Sequence, residues 1–179
     1  MKEANAQSNI GNGLERLNSL PAEAASTELV NCCGSRRWAE QLSEHRPFVD
    51  LAALLEQADR IWWSLDQEDW LEAFRSHPKI GERKTNVAAA ARSRKWSEGE
   101  QAGARGASQE TMDALAEANR TYESKFGFIF IVCATGKTAE EMLRLLRQRL
   151  ANDHDTELRI AAEEQRRITH LRLQKLLDT

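Results

Sequence analysis

The chain has too few cysteines, in the wrong arrangement, to fold around disulfides. There are three, Cys32, Cys33 and Cys133. An odd number with two adjacent members is no framework, and no Cys-x-x-Cys pair is spaced for zinc. Buried, reduced thiols are the expectation. Histidines are also sparse: His45, His77, His154 and His170 lie scattered, with no HExxH or other ligand spacing, so no metal site is expected. Neither a GxGxxG nor a Walker loop occurs, which removes dinucleotide and nucleoside triphosphate sites from consideration. No Ser or Cys stands in a recognised nucleophile context. The longest apolar run, Phe128 to Ala134, is too short to cross a bilayer. The N-terminus has no charged-then-apolar leader pattern, so nothing directs the chain out of the cytoplasm. With a net charge of −3 and no concentrated basic face, nucleic acid is not an expected partner.

What is present is an ordinary globular composition, 41% hydrophobic and 30% charged over 179 residues, enough for one domain with a real core. Residues 1–13 are polar and rich in Gly and Asn, and read as a loosely held tail ahead of a domain at 14–179. The rest is dominated by helical periodicity. A helix begins around Asn18 to Pro21 and runs to about Cys33, where Gly34 stops it. Ser35 begins another over Arg36 to Glu44, with Trp38 and Leu42 on one face, and Arg46-Pro47 breaks it. Asp50 caps a helix carrying Leu51, Leu54, Leu55, Ala58, Ile61, Trp62 and Leu65 at helical spacing. Asp66 to Arg75 continues in the same style. From Lys79 to Trp96 strongly apolar positions are rare, and a loop of that length in a compact domain is either functional or disordered; Ala88 to Ala91 allow a brief helical turn. Ser97 with Glu100 has capping-box spacing for a helix through Gln101. Further helices are expected from Ser108 to Lys125, from Thr138 (with Glu141 in the box position) to Leu150, and from Asp155 to Leu177. Phe128 to Ala134 has strand-like composition but no partner strand anywhere, so an irregular or helical core segment is expected. The fold class is therefore all-α, a single-domain bundle of about eight helices.

Three side chains stand out chemically, each with a plainer reading beside it. Pro78 pushes His77 out of the α region at a helix-to-loop junction, and Gly81 lets the chain turn beyond it. That is a good place for a group that gives or takes a proton near neutral pH, although a histidine that merely ends a helix looks the same. Glu100 with Gln101 sits in the first turn of a helix, as a functional carboxylate or only as a capping-box glutamate. Arg172 lies among leucines near the C-terminus, as a binding group or as a solvated helix charge snorkelling past Leu171 and Leu173. Phe126 to Ala134 reads mostly as plain core.

A set of short elements recurs in fixed order: Leu17-Asn18-Ser19-Leu20, Cys33-Gly34-Ser35-Arg36-Arg37-Trp38, Arg46-Pro47-Phe48, His77-Pro78-Lys79-Ile80-Gly81, Ser97-x-x-Glu100-Gln101, Asn119-x-x-Tyr122-x-x-Lys125-Phe126-Gly127-Phe128, Arg149-Leu150-x-Asn152 and Ile168-x-x-Leu171-Arg172-Leu173. Each alone is weak, but the ordered set is specific. It resembles the 2-oxo-4-hydroxy-4-carboxy-5-ureidoimidazoline (OHCU) decarboxylases of uric acid breakdown, over about residues 14 to 178. The resemblance implies an all-helical homodimer that works without metal or organic cofactor and converts OHCU to (S)-allantoin and carbon dioxide. By position it makes His77 the catalytic histidine, Glu100 its partner carboxylate and Arg172 the substrate-binding arginine. The substrate pocket would be formed by Pro78, by Ser97, Glu98, Gly99, Glu100 and Gln101, and by backbone groups of Phe130, Ile131, Val132, Cys133 and Ala134. Lys79 departs from many relatives, particularly animal ones, which carry an acidic residue there; a basic one is similar to the bacterial branch and is not expected to affect His77, Glu100 and Arg172.

The chemistry of the residues agrees with this resemblance. Carbon dioxide lost from a carbon next to a conjugated C=N or C=O leaves an enolate-like anion, so the substrate is its own electron sink. The protein then has to orient the carboxylate, meet developing charge with fixed donors and deliver one proton. An arginine fork, backbone amides of an irregular segment and a histidine supply those functions. Two other readings use fewer of the residues. One is a helical adaptor that docks through the His-Pro loop; the other is an enzyme acting on a different ureide, such as hydroxyisourate or allantoin.

Overall fold

The computed structural model describes residues 2–79, 96, 99–100 and 106–178, with the backbone alone for 2–8. Among these, eight helices and no strand are found: α1 (Lys2–Ser19), α2 (Ala22–Cys33), α3 (Arg36–Glu44), α4 (Leu51–Ser64), α5 (Gln67–Arg75), α6 (Gln109–Phe126), α7 (Ala139–Arg149) and α8 (His154–Leu177). The all-α expectation holds. The expected loop beyond Lys79, with its brief turn at Ala88 to Ala91, lies outside the described residues, as do Ser97, Glu98 and Gln101.

The caps are where the sequence places them. Ser35 accepts from the Trp38 amide, Asp50 from that of Ala53 and Ser108 from that of Thr111. Thr138 and Glu141 form the full reciprocal capping box. Two boundaries differ. Ser19, expected near the cap of the helix that runs to Cys33, instead ends α1 and donates to the Arg16 carbonyl at 2.9 Å, and α2 starts at Ala22 behind Pro21 with no side-chain cap. Helix α1 reaches back to Lys2, through residues whose composition reads as a tail. Packing explains the discrepancy at Gly13, because a Cβ there would lie 1.9 Å from the Leu177 carbonyl oxygen. Glycine is present because backbone meets backbone, which outweighs its poor helix propensity.

Two compact units divide the chain, Met1–Trp70 with Arg166–Thr179, and Leu71–Gln165. The dividing points fall inside α5 and α8, so no linker marks them, and composition alone reads as one domain. In the first unit, α2 packs on α3 and α3 on α4, burying Leu29, Trp38, Leu42, Leu54 and Trp62 completely or nearly so. Trp38 also donates its indole N–H to the Ala58 carbonyl at 3.0 Å. Two of the sequence elements fit each other here. Arg46 donates to the carbonyls of Leu17 (2.8 Å) and Leu20 (2.6 Å), satisfying acceptors that the end of α1 leaves open. Asn18 pairs reciprocally with the Phe48 backbone, at 2.9 Å in both directions. On the same unit Asp59 joins α4 to α8, accepting from Arg166 at 2.8 Å and pairing with His170 Nε2 at 2.6 Å.

Candidate active site

The wall of the candidate site begins where α6 ends. Gly127 takes φ 77°, a left-handed conformation suited to glycine, and returns its N–H to the Glu123 carbonyl at 2.8 Å. The chain then runs irregularly from Phe128 to Ala134, neither helix nor strand, as the missing partner strand implied. Apolar burial alone does not hold such a segment in one shape; here polar anchors do. Phe126, Phe128 and Phe130 surround Tyr122, with ring centroids 4.7, 5.8 and 5.3 Å away. Arg149 lies 4.6 Å over Phe130, donates to the Ile131 carbonyl at 2.8 Å and pairs with Glu157 at 2.6 Å. Tyr122 donates its hydroxyl to the same carboxylate, and Asn152 donates to the other oxygen at 2.7 Å. Burial pushes the Tyr122 phenol far above its usual range, and Glu157 adds to the shift while Arg149 opposes it.

Farther along, Cys133 is held from two sides. Its N–H donates to Glu164 Oε2 at 2.7 Å, and its carbonyl accepts from Lys137 Nζ at 2.7 Å. The Cys133 amide is therefore engaged by Glu164 in this structure. The wall residues Phe130, Ile131, Val132 and Ala134 are buried and Cys133 half-buried. Burial raises the Cys133 thiol pKa, Lys137 opposes this, and the Glu164 and Glu100 carboxylates both add to it.

Glu100 lies on helical backbone with Gly99 and is only 7% exposed. A glutamate that merely caps a helix stays in water; a carboxylate this buried is rare without a specific role. His77 is half-buried just past α5, its Nε2 sealed from solvent. Its own N–H returns to the Phe74 carbonyl at 3.1 Å. Phe74 meets Phe128 at 5.5 Å, which ties the end of α5 to the start of the wall. Pro78 follows, half-buried and outside any helix. His77, Pro78, Gly99, Glu100 and the Phe130–Ala134 wall all belong to the second unit. Arg172 belongs to the first, on α8, where at 1% exposure it is no snorkelling surface charge.

Among the described residues, no three His, Cys, Asp or Glu side chains gather as a metal would require, and no helix is long and apolar enough to cross a membrane. The family model for OHCU decarboxylase matches residues 18–174. The chain belongs to the OHCU decarboxylase family. It is 39% identical over 160 residues to the uric acid degradation bifunctional protein TTL of Arabidopsis thaliana, covering 89% of this chain and 49% of that protein. The chain thus spans about half the length of that relative. It is 29% identical over 137 residues to the 2-oxo-4-hydroxy-4-carboxy-5-ureidoimidazoline decarboxylase of Haloferax volcanii, covering 75% of this chain and 77% of the relative. A crystal structure of an OHCU decarboxylase, obtained in the presence of (S)-allantoin, is 40% identical and superposes with a TM-score of 0.73, over 85% of this chain and 98% of that one.

Sequence reasoning found the family elements but missed the work of several. Tyr122, Arg149 and Asn152, from two of those elements, meet on the buried Glu157 carboxylate. Lys125 draws the Leu150 and Asn152 carbonyls to the end of α6, at 2.7 and 2.8 Å. Glu157 and Glu164 belong to no sequence motif. Their only signal is that both fall among the apolar positions of α8, Leu158, Ala161 and Ala162, that face inward.

Proposed function

We propose that this chain decarboxylates OHCU to (S)-allantoin in uric acid breakdown, as a carboxy-lyase that needs no metal or organic cofactor, and that it works as a homodimer in the cytoplasm. One observation supports the reading: Glu100, at the position of the family's partner carboxylate, is only 7% exposed in a chain of the OHCU decarboxylase family. In this reading the substrate carboxylate is turned out of the ring plane, and its C–C bond breaks as the electron pair spreads onto the conjugated ring. Arg172 binds substrate oxygens through its planar fork. Glu100 orients the substrate hydroxyl and sets the protonation of His77. His77 delivers the proton that replaces carbon dioxide. The buried wall excludes water, which strengthens each of these electrostatic contacts. Pro78, Ser97, Glu98, Gly99, Gln101 and the wall residues Phe130 to Ala134 line the ring in this assignment, with the Cys133 amide reserved for Glu164.

The test generates OHCU in place from urate with uricase and hydroxyisourate hydrolase and follows the circular dichroism of allantoin with and without the protein. His77→Ala, Glu100→Ala and Arg172→Ala are each expected to lower turnover by about 10²–10⁴-fold while the helical spectrum is kept. Near wild-type turnover for His77→Ala would remove the proton-donor assignment. No acceleration by the wild-type chain would remove the function.

A further inference from the structure

We propose that Lys79 is a positioning residue for His77, acting through its ion pair with Glu123. The proposal rests on the reading of His77 as proton donor. Lys79 Nζ lies 2.6 Å from Glu123 Oε2, with the two side chains 34% and 40% exposed. Only Pro78 separates Lys79 from His77, and its ring fixes one of the few torsions between them. Movement of Lys79 is therefore passed to the histidine with little slack. On its other side His77 is anchored by its N–H to Phe74 and by the Phe74–Phe128 ring contact. The histidine is thus held at both ends, once by a helix and once by a charge.

Glu123 is a meaningful place to tie that second end. It stands in the last turn of α6, and its carbonyl receives the Gly127 N–H that closes the helix and launches the wall. The tether therefore registers the histidine against the residue from which the wall is built. A pair this exposed contributes little to global stability. Its effect is geometric, and a misplacement of about 1 Å in a reacting group costs on the order of 10²-fold in rate.

The experiment measures kcat, KM and melting temperature for Lys79→Met, Glu123→Gln, the double variant and His77→Ala, at low and high salt. Each single variant is expected to lower kcat about 10-fold with KM and melting temperature nearly unchanged, and the double variant to fall no further, as residues acting through one contact do. Added salt is expected to lower the wild-type kcat toward that of the variants, which do not respond. Lys79→Arg keeps the pair and retains most of the activity. If Glu123→Gln is fully active while Lys79→Met is impaired, lysine acts directly on substrate and the tether is wrong. If both keep wild-type kcat while His77→Ala is dead, the tether falls and the function reading stands. If His77→Ala is itself active, the histidine assignment fails and the tether with it.

Discussion

Tyr122 is the chain's only tyrosine, and it spends its hydroxyl on Glu157 inside the second unit. Its folded pKa is raised, first by burial and then by the carboxylate it donates to. The stability it contributes is complete below the unfolded tyrosine value of about 10 and is lost as pH rises above that. Native protein is therefore expected to show no tyrosinate absorbance near 295 nm until it unfolds, and Tyr122→Phe to flatten the alkaline fall in melting temperature. At neutral pH that variant loses the bond to Glu157 and the longer one accepted from Arg149 at 3.4 Å, about 1–2 kcal/mol in all, because Glu157 keeps Arg149 and Asn152. A tyrosinate signal rising at pH 10 with the fold intact would show the hydroxyl in contact with water. The sequence places Tyr122 in a family element but does not show what its hydroxyl does. A tyrosine at helical spacing reads as core, and its partner Glu157 lies 35 positions away on another helix.

At the scale of elements, the legible features are those encoded within a few residues: caps at Ser35, Asp50, Ser108 and Thr138, and stops at Gly34 and Gly127. The start of α1 was not legible, because what makes it helical at Gly13 is the Leu177 backbone at the other end of the chain. The irregular wall was legible only through an absence, the lack of a partner strand, while its anchors Arg149, Lys137 and Glu164 depend on tertiary contact. Two glycines in α1 make the point measurable. Gly13→Ala forces a Cβ onto the Leu177 carbonyl, and overpacking of this kind costs about 1–3 kcal/mol. Gly11 is exposed with nothing within 4 Å of its Cβ position, so Gly11→Ala is expected to gain about 0.5–1 kcal/mol from helix propensity alone. Thermal denaturation of the pair gives opposite shifts of roughly 2–10 °C. Equal shifts in the same direction would mean that α1 does not dock on the end of α8 as described.

Across the whole molecule, the division into two units makes a claim about cooperativity. The boundaries lie between Trp70 and Leu71 within α5 and between Gln165 and Arg166 within α8. Unfolding one unit while the other survives would cut both helices internally, and each new end would expose backbone groups that have no intrahelical partner. Separate domains joined by a linker pay no such cost and melt separately. This chain is therefore expected to unfold in one step despite its two units. Four of its five tryptophans, Trp38, Trp62, Trp63 and Trp70, lie in the first unit, so fluorescence follows that unit while far-ultraviolet circular dichroism follows all helices. The two probes are expected to give coincident urea midpoints, with calorimetric and van't Hoff enthalpies in agreement. Gly13→Ala, buried in the first unit, is expected to shift both midpoints together. A fluorescence transition that precedes the loss of helix, or a shift confined to the tryptophan signal, would show that α5 and α8 can break at the unit boundaries and that the two units are separate folding domains.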